Sequence, residues 1–568
     1  MKKSIIALVF FLFVAEPVMA VDGPEYDEAP LKKESHETIK TTKYKLPNIR
    51  IFSEQQTIQI NSFADWLDFV TNSKSIDQAI ININVDLDFT NQNYLMTTII
   101  NESVVIEGNN HTFSNFKKTT NFIDLNRGQI KNLNFNNINI NTTANYSALI
   151  KENYGLLENI SVNKAYFKGN YYVGMVAKNY GTITNIRLND FNLVGNRYVG
   201  SVAGLNTNYH NGLDLMTFYS TATIDKVIMQ NIKIRSIPFV EKKNYRTKAT
   251  SNTDVFGDYM GGLVGKNNNA SILNSAVYNI NMYGDDYLGG IVGFNAYNVE
   301  NDNFALVENI NVKNLKIYGG IRIGGIVGYN VSYEPINLKR IAPNSTRNNE
   351  IKALLNKATL TENLFISAHS EAGGAVGLNY SAKITNVGIK VNEQKYNVYT
   401  HYDEAAGLVA DNEFGYVKNS FSTANVKAKI FQAAGFCADN EGTIINSQSY
   451  GIVYTTKEAG GFVGSNLGQV IGITTYSNVY TTKQIKVITY KKIKEKETNK
   501  KNKKKKKPKY KKIVKYYPQY SGNIAAYNGK VTYKGLKLIG KVSKSKYYGK
   551  RYLKNKLMPN RAYGAYGK

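Results

Sequence analysis

Cysteine is almost missing from this chain: among 568 residues only Cys437 occurs, so no internal disulfide can hold the fold together. Proline is nearly as scarce, with 10 residues and no Pro-rich stretch that would read as an interdomain linker. A chain of this length ordinarily divides into several globular domains. With linkers lacking, a single elongated domain fits better. Long apolar runs are missing as well, since beyond the extreme N-terminus no stretch reaches the roughly 18 uninterrupted apolar residues of a membrane helix. The five histidines, His36, His111, His210, His369 and His401, stand in no ligand-like spacing, and no Ser, Cys or Lys nucleophile set stands out. The residues therefore point away from an enzyme.

What is present begins with an export signature. Lys2 and Lys3 precede an apolar run from Ile5 to Val14, and Val18, Met19 and Ala20 suit cleavage after Ala20. The expectation is a secreted or cell-surface protein, at a bacterial outer-membrane surface or extracellular, with no transmembrane segment in the mature chain.

The dominant pattern is an internal repeat of nine residues. Its clearest copies are Tyr259–Asn267 (YMGGLVGKN), Tyr287–Asn295 (YLGGIVGFN), Arg322–Asn330 (RIGGIVGYN), Glu371–Asn379 (EAGGAVGLN), Glu404–Asn412 (EAAGLVADN), Gln432–Asn440 (QAAGFCADN) and Glu458–Asn466 (EAGGFVGSN). Looser copies begin at Lys118, Asn145, Tyr171, Tyr198 and Tyr520, which makes about twelve units. Uninterrupted units are 26 to 28 residues apart, and the segments between them alternate apolar and polar residues, as in Ile160, Val162 and Tyr166. That pattern predicts strands, about three per turn. One turn cannot bury its inner face alone, but stacked turns share a continuous core.

The expected fold is therefore all-β: a single-stranded right-handed parallel β-helix of about twelve coils, on the order of 55 to 60 Å long at the strand spacing of a sheet. Its fourth motif position is Gly in eight units, which implies a close approach or a left-handed backbone. Cys437 replaces a Val of other units and reads as a small buried hydrophobe. Asn closes every unit, as an amide ladder or as a left-handed turn residue, and a second Asn follows in many units (Asn132, Asn159, Asn185, Asn274, Asn386, Asn419, Asn446). The boundaries read as a signal peptide over 1–20, an extended segment over 21–60, an N-terminal cap over 61–117 and repeats over 118–482. A Lys-rich insertion over 483–519 and a terminal coil with basic tail over 520–568 follow. Insertions fall near 207–221, 236–255, 296–304 and 331–358, and Asn348–Lys357 reads as a short helix.

These motifs resemble the bacterial GLUG-repeat proteins, named for the Gly-Leu-apolar-Gly phrase seen here at Gly262–Gly265 and varied as GIVG, GAVG and GFVG. The likeness covers roughly residues 100–540, and Val105–Phe116 (VIEGNNHTFSNF) resembles the phrase that opens many such domains. The resemblance implies a surface or secreted protein, often adhesin-like, and no single activity. Some IgA-cleaving metallopeptidases carry such repeats beside a His-Glu-x-x-His motif. Here His36-Glu37-Thr38-Ile39-Lys40 lacks the second histidine.

Charge is distributed unevenly. Residues 483–568 hold 29 Lys and Arg against Glu495 and Glu497, and the preceding 482 residues are nearly neutral. The centre is a run comprising Lys500, Lys501, Lys503, Lys504, Lys505, Lys506, Lys507, Lys509, Lys511 and Lys512, flanked by apolar and Tyr-rich segments that suit a hairpin or long loop. Such a polycation seeks anionic glycans, lipopolysaccharide or host matrix. Sequence-specific nucleic-acid recognition is not expected, because no reading module is present. Tyr171, Tyr198, Tyr259 and Tyr287 share the first motif position, as an aromatic ladder or a sugar-stacking column. Asp411 and Glu413 recur one coil later as Asp439 and Glu441, which would suit structural Ca²⁺ or solvated turns. No other cofactor is expected. A polysaccharide-active enzyme and a purely structural envelope or matrix protein are the alternatives to binding.

Overall fold

The computed structural model describes residues 56–90, 92, 98–208, 222–237, 259–298, 303–332 and 351–481, with strand segments between 484 and 538. The chain divides into two units, Met1–Glu54 and Gln55–Lys568. The first unit, with the expected signal peptide, lies outside the described residues, as do residues 209–221, 238–258, 299–302 and 333–350 of the insertions.

Among the described residues, successive coils of the second unit pair in parallel from Gln56–Ile60 onward, so the unit is a parallel β-helix. The repeat phrase forms one ladder, and the segments between phrases form the other. All twelve expected units lie in the first ladder with their closing asparagines aligned, from Asn126 opposite Asn153 to Asn466 opposite Asn528. The alternation seen in the sequence becomes the core of the second ladder. In Gln129–Asn141, for example, Ile130, Leu133, Phe135, Ile138 and Ile140 point inward and are buried.

The strand count per turn departs from expectation. Over the first half of the repeats each coil contributes one long strand to this ladder, such as Leu156–Lys168, Thr182–Gly195 or Ala305–Gly319. These strands keep their pairing while bending at left-handed residues. Asn132 and Asn137 have φ of 53° and 57°, and Asn159, Asn185, Asn274 and Asn309 repeat the first bend. Asn reaches that conformation at little cost because its short amide bonds locally. From Lys383 onward the strand breaks into three short pieces per coil, such as Lys383–Thr385, Gly388–Val391 and Val398–Thr400. The helix expected over Asn348–Lys357 is not formed from Ala353 on. Ala353–Ala368 is a strand, because Ala353, Leu355 and Ala358 fall in register with the buried Ala305, Val307 and Ile310.

The N-terminal end is closed by the helix Phe63–Asn72. Ser62 caps it by accepting from the Asp65 amide, while Asp65 accepts from the Asn61 amide, a reciprocal arrangement that satisfies two otherwise free donors. Trp66, Phe69 and Val70 turn inward, and the Trp66 ring stacks on Phe122 at 5.5 Å. Parallel pairing already starts at Gln56–Ile60, which lies against Gln78–Ile83, so coils form within the region read as cap.

Two chemical features of the motif explain the stacking. At the fourth position no glycine has a left-handed backbone. A Cβ on Gly174, Gly262, Gly290, Gly325, Gly374, Gly407 or Gly435 would instead lie 2.0–2.2 Å from the carbonyl oxygen of the corresponding residue in the next coil. Close approach is the reason for glycine there. The closing asparagines from Asn126 to Asn466 are inaccessible to solvent and form ten consecutive side-chain bonds of 2.7–2.9 Å, each Nδ2 donating to the Oδ1 of the next coil. Most donate their second N–H to a nearby carbonyl, as Asn267 does to Ala270 and Asn295 to Ala305. The ladder belongs to this column, and the left-handed turns belong to the second asparagine column. Cys437 sits between Val409 and Val463, fully buried, and burial pushes its thiol well above the usual range.

Candidate functional site

The outer corner of the repeat ladder changes chemistry along the stack. Tyr146, Tyr172, Tyr198, Tyr259 and Tyr287 stack face to face at 4.9–5.4 Å, and Tyr329 continues from Tyr287 at 5.8 Å. Tyr172, not Tyr171, belongs to this column. Val173 pairs with Val199 but Val176 pairs with Ala203, so the unit at Tyr198 holds one extra residue, and alignment on the closing Asn displaces the tyrosine by one. Tyr171 is in register with Arg197. Within the column each interior ring has both faces against neighbouring rings. Sugar stacking needs an open face, so these interior rings are structural. Lys178 and Arg197 lie 4.8–5.0 Å from the ring centres of Tyr172, Tyr198 and Tyr259 and add cation–π attraction.

The next coils reverse the polarity. Arg322 takes the tyrosine position, with its guanidinium near the Tyr287 and Tyr329 rings, donates to the Tyr287 hydroxyl at 2.8 Å and pairs with Glu371 at 3.1 Å. Glu404, Gln432 and Glu458 continue the column. Beside it Asp411 stands in register with Asp439. Burial pushes the carboxyl of Glu404 well above the usual range, aided by the charge of Glu371, and burial does the same to Asp411, aided by Glu404. Burial also raises Asp439 to about 6 and Glu458 to about 7. The Oδ1 atoms of Asp411 and Asp439 are shielded from solvent and have no hydrogen-bond partner among the described residues. The expected recurrence of Asp411 and Glu413 as Asp439 and Glu441 is thus brought together, with Glu404 as the member that sequence reading missed. Its signal was the first motif position, where Glu404 follows Glu371 by one unit. Among the described residues no group of three or more His, Cys, Asp or Glu is arranged to hold a metal.

The Lys-rich insertion is rooted in a two-stranded antiparallel ribbon. Gln484–Lys492 pairs with Tyr510–Pro518 from Gln484 opposite Pro518 to Lys492 opposite Tyr510. Lys511 and Lys512 lie in its second strand, opposite Lys491 and Tyr490. Lys500, Lys501, Lys503, Lys504, Lys505, Lys506, Lys507 and Lys509 fall outside the described residues. On either side of the ribbon the solenoid pairing continues, with Gly460 opposite Gly522 and Asn466 opposite Asn528.

Fold and surface together define a class, a parallel β-helix repeat protein interrupted by one antiparallel ribbon. Compared with protein-family models, curated proteins and solved structures, the chain matches none.

Proposed function

We propose that the protein is an exported binding protein of adhesin type, secreted or held at the cell surface, that engages anionic glycans of an envelope or host matrix. The observation that carries this reading is the antiparallel ribbon Gln484–Lys492 and Tyr510–Pro518, which leaves a parallel solenoid and encloses in sequence the run from Lys500 to Lys509. A polycation inserted between paired coils is presented by the scaffold rather than used to build it. The resemblance to GLUG-repeat proteins and the N-terminal export signature agree with an outward-facing role. Catalysis on polysaccharide is the weaker reading. The raised carboxyls line a packed corner of the ladder, whereas the roughly 490 Å³ groove on the opposite ladder has no carboxylate in its lining.

The test is heparin and lipopolysaccharide binding by the purified mature chain over a salt series. Binding that weakens steeply with salt, and that falls when Lys500, Lys501 and Lys503–Lys507 are replaced by Gln, supports the proposal. Binding that ignores those replacements refutes it. Release of reducing ends from acidic polysaccharide would establish the enzymatic alternative.

A further inference from the structure

The long-strand ladder changes cross-section between two neighbouring coils. Ala305–Gly319 and Ala353–Ala368 pair along their lengths, with one extra residue in the upper strand, since Lys313 faces Thr361 but Leu315 faces Leu364. In the coil above, the strand ends at Val391 and resumes at Val398; Asn392 and Asn397 keep backbone hydrogen bonds to the neighbouring coils, and residues 393–396 between them loop out of the ladder. This step opens a groove of about 490 Å³ whose walls include Asn314, Lys316, Tyr318, Asn363, Phe365 and Gln394. The volume falls in the range of small-ligand sites, roughly 300–1,000 Å³.

Its chemistry is specific. Tyr318 stacks on Tyr283 at 5.1 Å on one side, and on the other meets Phe365 at 5.6 Å with planes tilted by 56°. The tilt arises because Ser367, too small to continue the ring column, lies opposite Tyr318. Lys316 is exposed, with its ammonium 5.1 Å from the Tyr318 ring centre, and it has no ion-pair partner among the described residues. The Gln394 side-chain amide makes no hydrogen bond to the described residues, and Asn363, which donates to Asn314 at 2.9 Å, keeps a second N–H. Aromatic edges, amide N–H groups left to donate and one exposed cation without an ion pair suit a negatively charged sugar residue.

The groove is not isolated. Tyr283, Tyr318, Ser367, Tyr399, Lys427, Tyr454 and Tyr480 occupy successive rungs of one column. These seven rungs cover roughly 30 Å at about 4.8 Å each. Lys427 lies 4.5 Å from the Tyr396 ring centre, and Tyr454 stacks on Tyr480 at 5.0 Å. The column ends at Asn478–Thr481, three residues before the ribbon begins at Gln484.

We infer that this column is the track along which an extended anionic glycan lies, with a charged sugar seated in the groove at Lys316 and Phe365 and the chain running toward the lysine-rich ribbon. The inference rests on the glycan-binding reading above and adds where the recognition is made. A single-stranded nucleic acid fits less well, because Ser367 and Lys427 interrupt the ring column and leave no run of aromatic faces on which successive bases could stack. Glu393, exposed on the same loop, is the carboxylate that opposes a polyanion here.

The test uses the full mature chain and a short heparin-derived oligosaccharide, with affinity measured by calorimetry at raised salt. Replacing the lysines from Lys500 to Lys507 by Gln is expected to leave this short-ligand affinity within about threefold, while Lys316→Ala with Gln394→Ala lowers it at least tenfold and Glu393→Gln raises it. Lys316 is exposed and touches only the neighbouring Tyr318 ring, and the half-buried Gln394 is held through its backbone carbonyl, which its truncation keeps, so an unchanged melting curve separates lost recognition from lost fold. Wild-type affinity in the double variant overturns the track while leaving the polycation reading intact. A wild-type chain that binds long heparin but not the short ligand also overturns it, and one that binds neither overturns both. Displacement of the oligosaccharide by oligothymidylate, with the same dependence on Lys316, would reassign the column to nucleic acid.

Discussion

At the residue scale, the strongest expectation concerns the middle of the amide ladder. Asn295 accepts from Asn267 and donates to Asn330 and to the Ala305 carbonyl, all out of contact with water. Asn295→Ala leaves those groups without partners, at about 1–3 kcal/mol for each buried group that water cannot reach. A fall of several kcal/mol in urea-unfolding stability is expected, against almost none for exposed Asn363→Ala. Gly290→Ala is expected to be at least as damaging, because its methyl carbon would meet the Gly325 carbonyl at 2.2 Å and rigid paired backbone cannot move aside. These two columns were legible in the sequence because each recurs at a fixed place in the phrase. Tyr171 was misread for the converse reason. An extra residue inside one unit leaves the phrase recognisable but shifts the pairing partner, and only the register reveals it.

At the element scale, the coils from Glu371 to Glu458 carry a pH dependence whose sign follows from burial. Glu404, Asp411, Asp439 and Glu458 hold protons in the folded coils at pH values where the unfolded chain has released them. The folded state thus binds more protons between the ordinary carboxylate range and about pH 7, so stability falls as pH rises through that window. Raising pH from about 5 to 8 is expected to lower the urea midpoint, and Glu404→Gln to flatten the profile and raise stability at the alkaline end. A midpoint independent of pH in the wild type would contradict the buried column. Arg322 bounds this element, since among the described residues it is the one that offsets Glu371 by a direct ion pair. Arg322→Met should therefore destabilise more at pH 8 than at pH 5. Little of this was visible beforehand. Asp411 and Asp439 are 28 residues apart in sequence and were paired by their shared phrase, but Glu404 joins them only through the path of the turn.

At the scale of the β-helix unit, repetition made the architecture readable and interruption concealed the rest. Twelve copies of one phrase determine a stack whatever lies between them, whereas the groove depends on where a strand happens to break, which no single coil encodes. The change from long strands to three short ones after Ala368 coincides with the change of the first motif positions from Tyr or Arg with a large aliphatic to Glu or Gln with Ala, but nothing in that change specifies where the strand breaks. The same logic makes the ribbon separable from the stack. Ala459, Gly460, Val463 and Asn466 pair directly with the coil beyond it, so the ladder continues across the ribbon. Replacing residues 493–509 by a short Gly-Ser turn is expected to leave the unfolding free energy within about 0.5 kcal/mol of wild type, as for surface changes away from packed features. Its effect should appear instead in ionic behaviour. Salt dependence of heparin affinity reports how many ligand counterions are released, and removing ten cationic side chains between Lys494 and Lys509 should sharply reduce the slope of log affinity against log salt. A slope unchanged by the deletion would mean that the remaining basic residues after Tyr510, or the solenoid itself, carry the electrostatics.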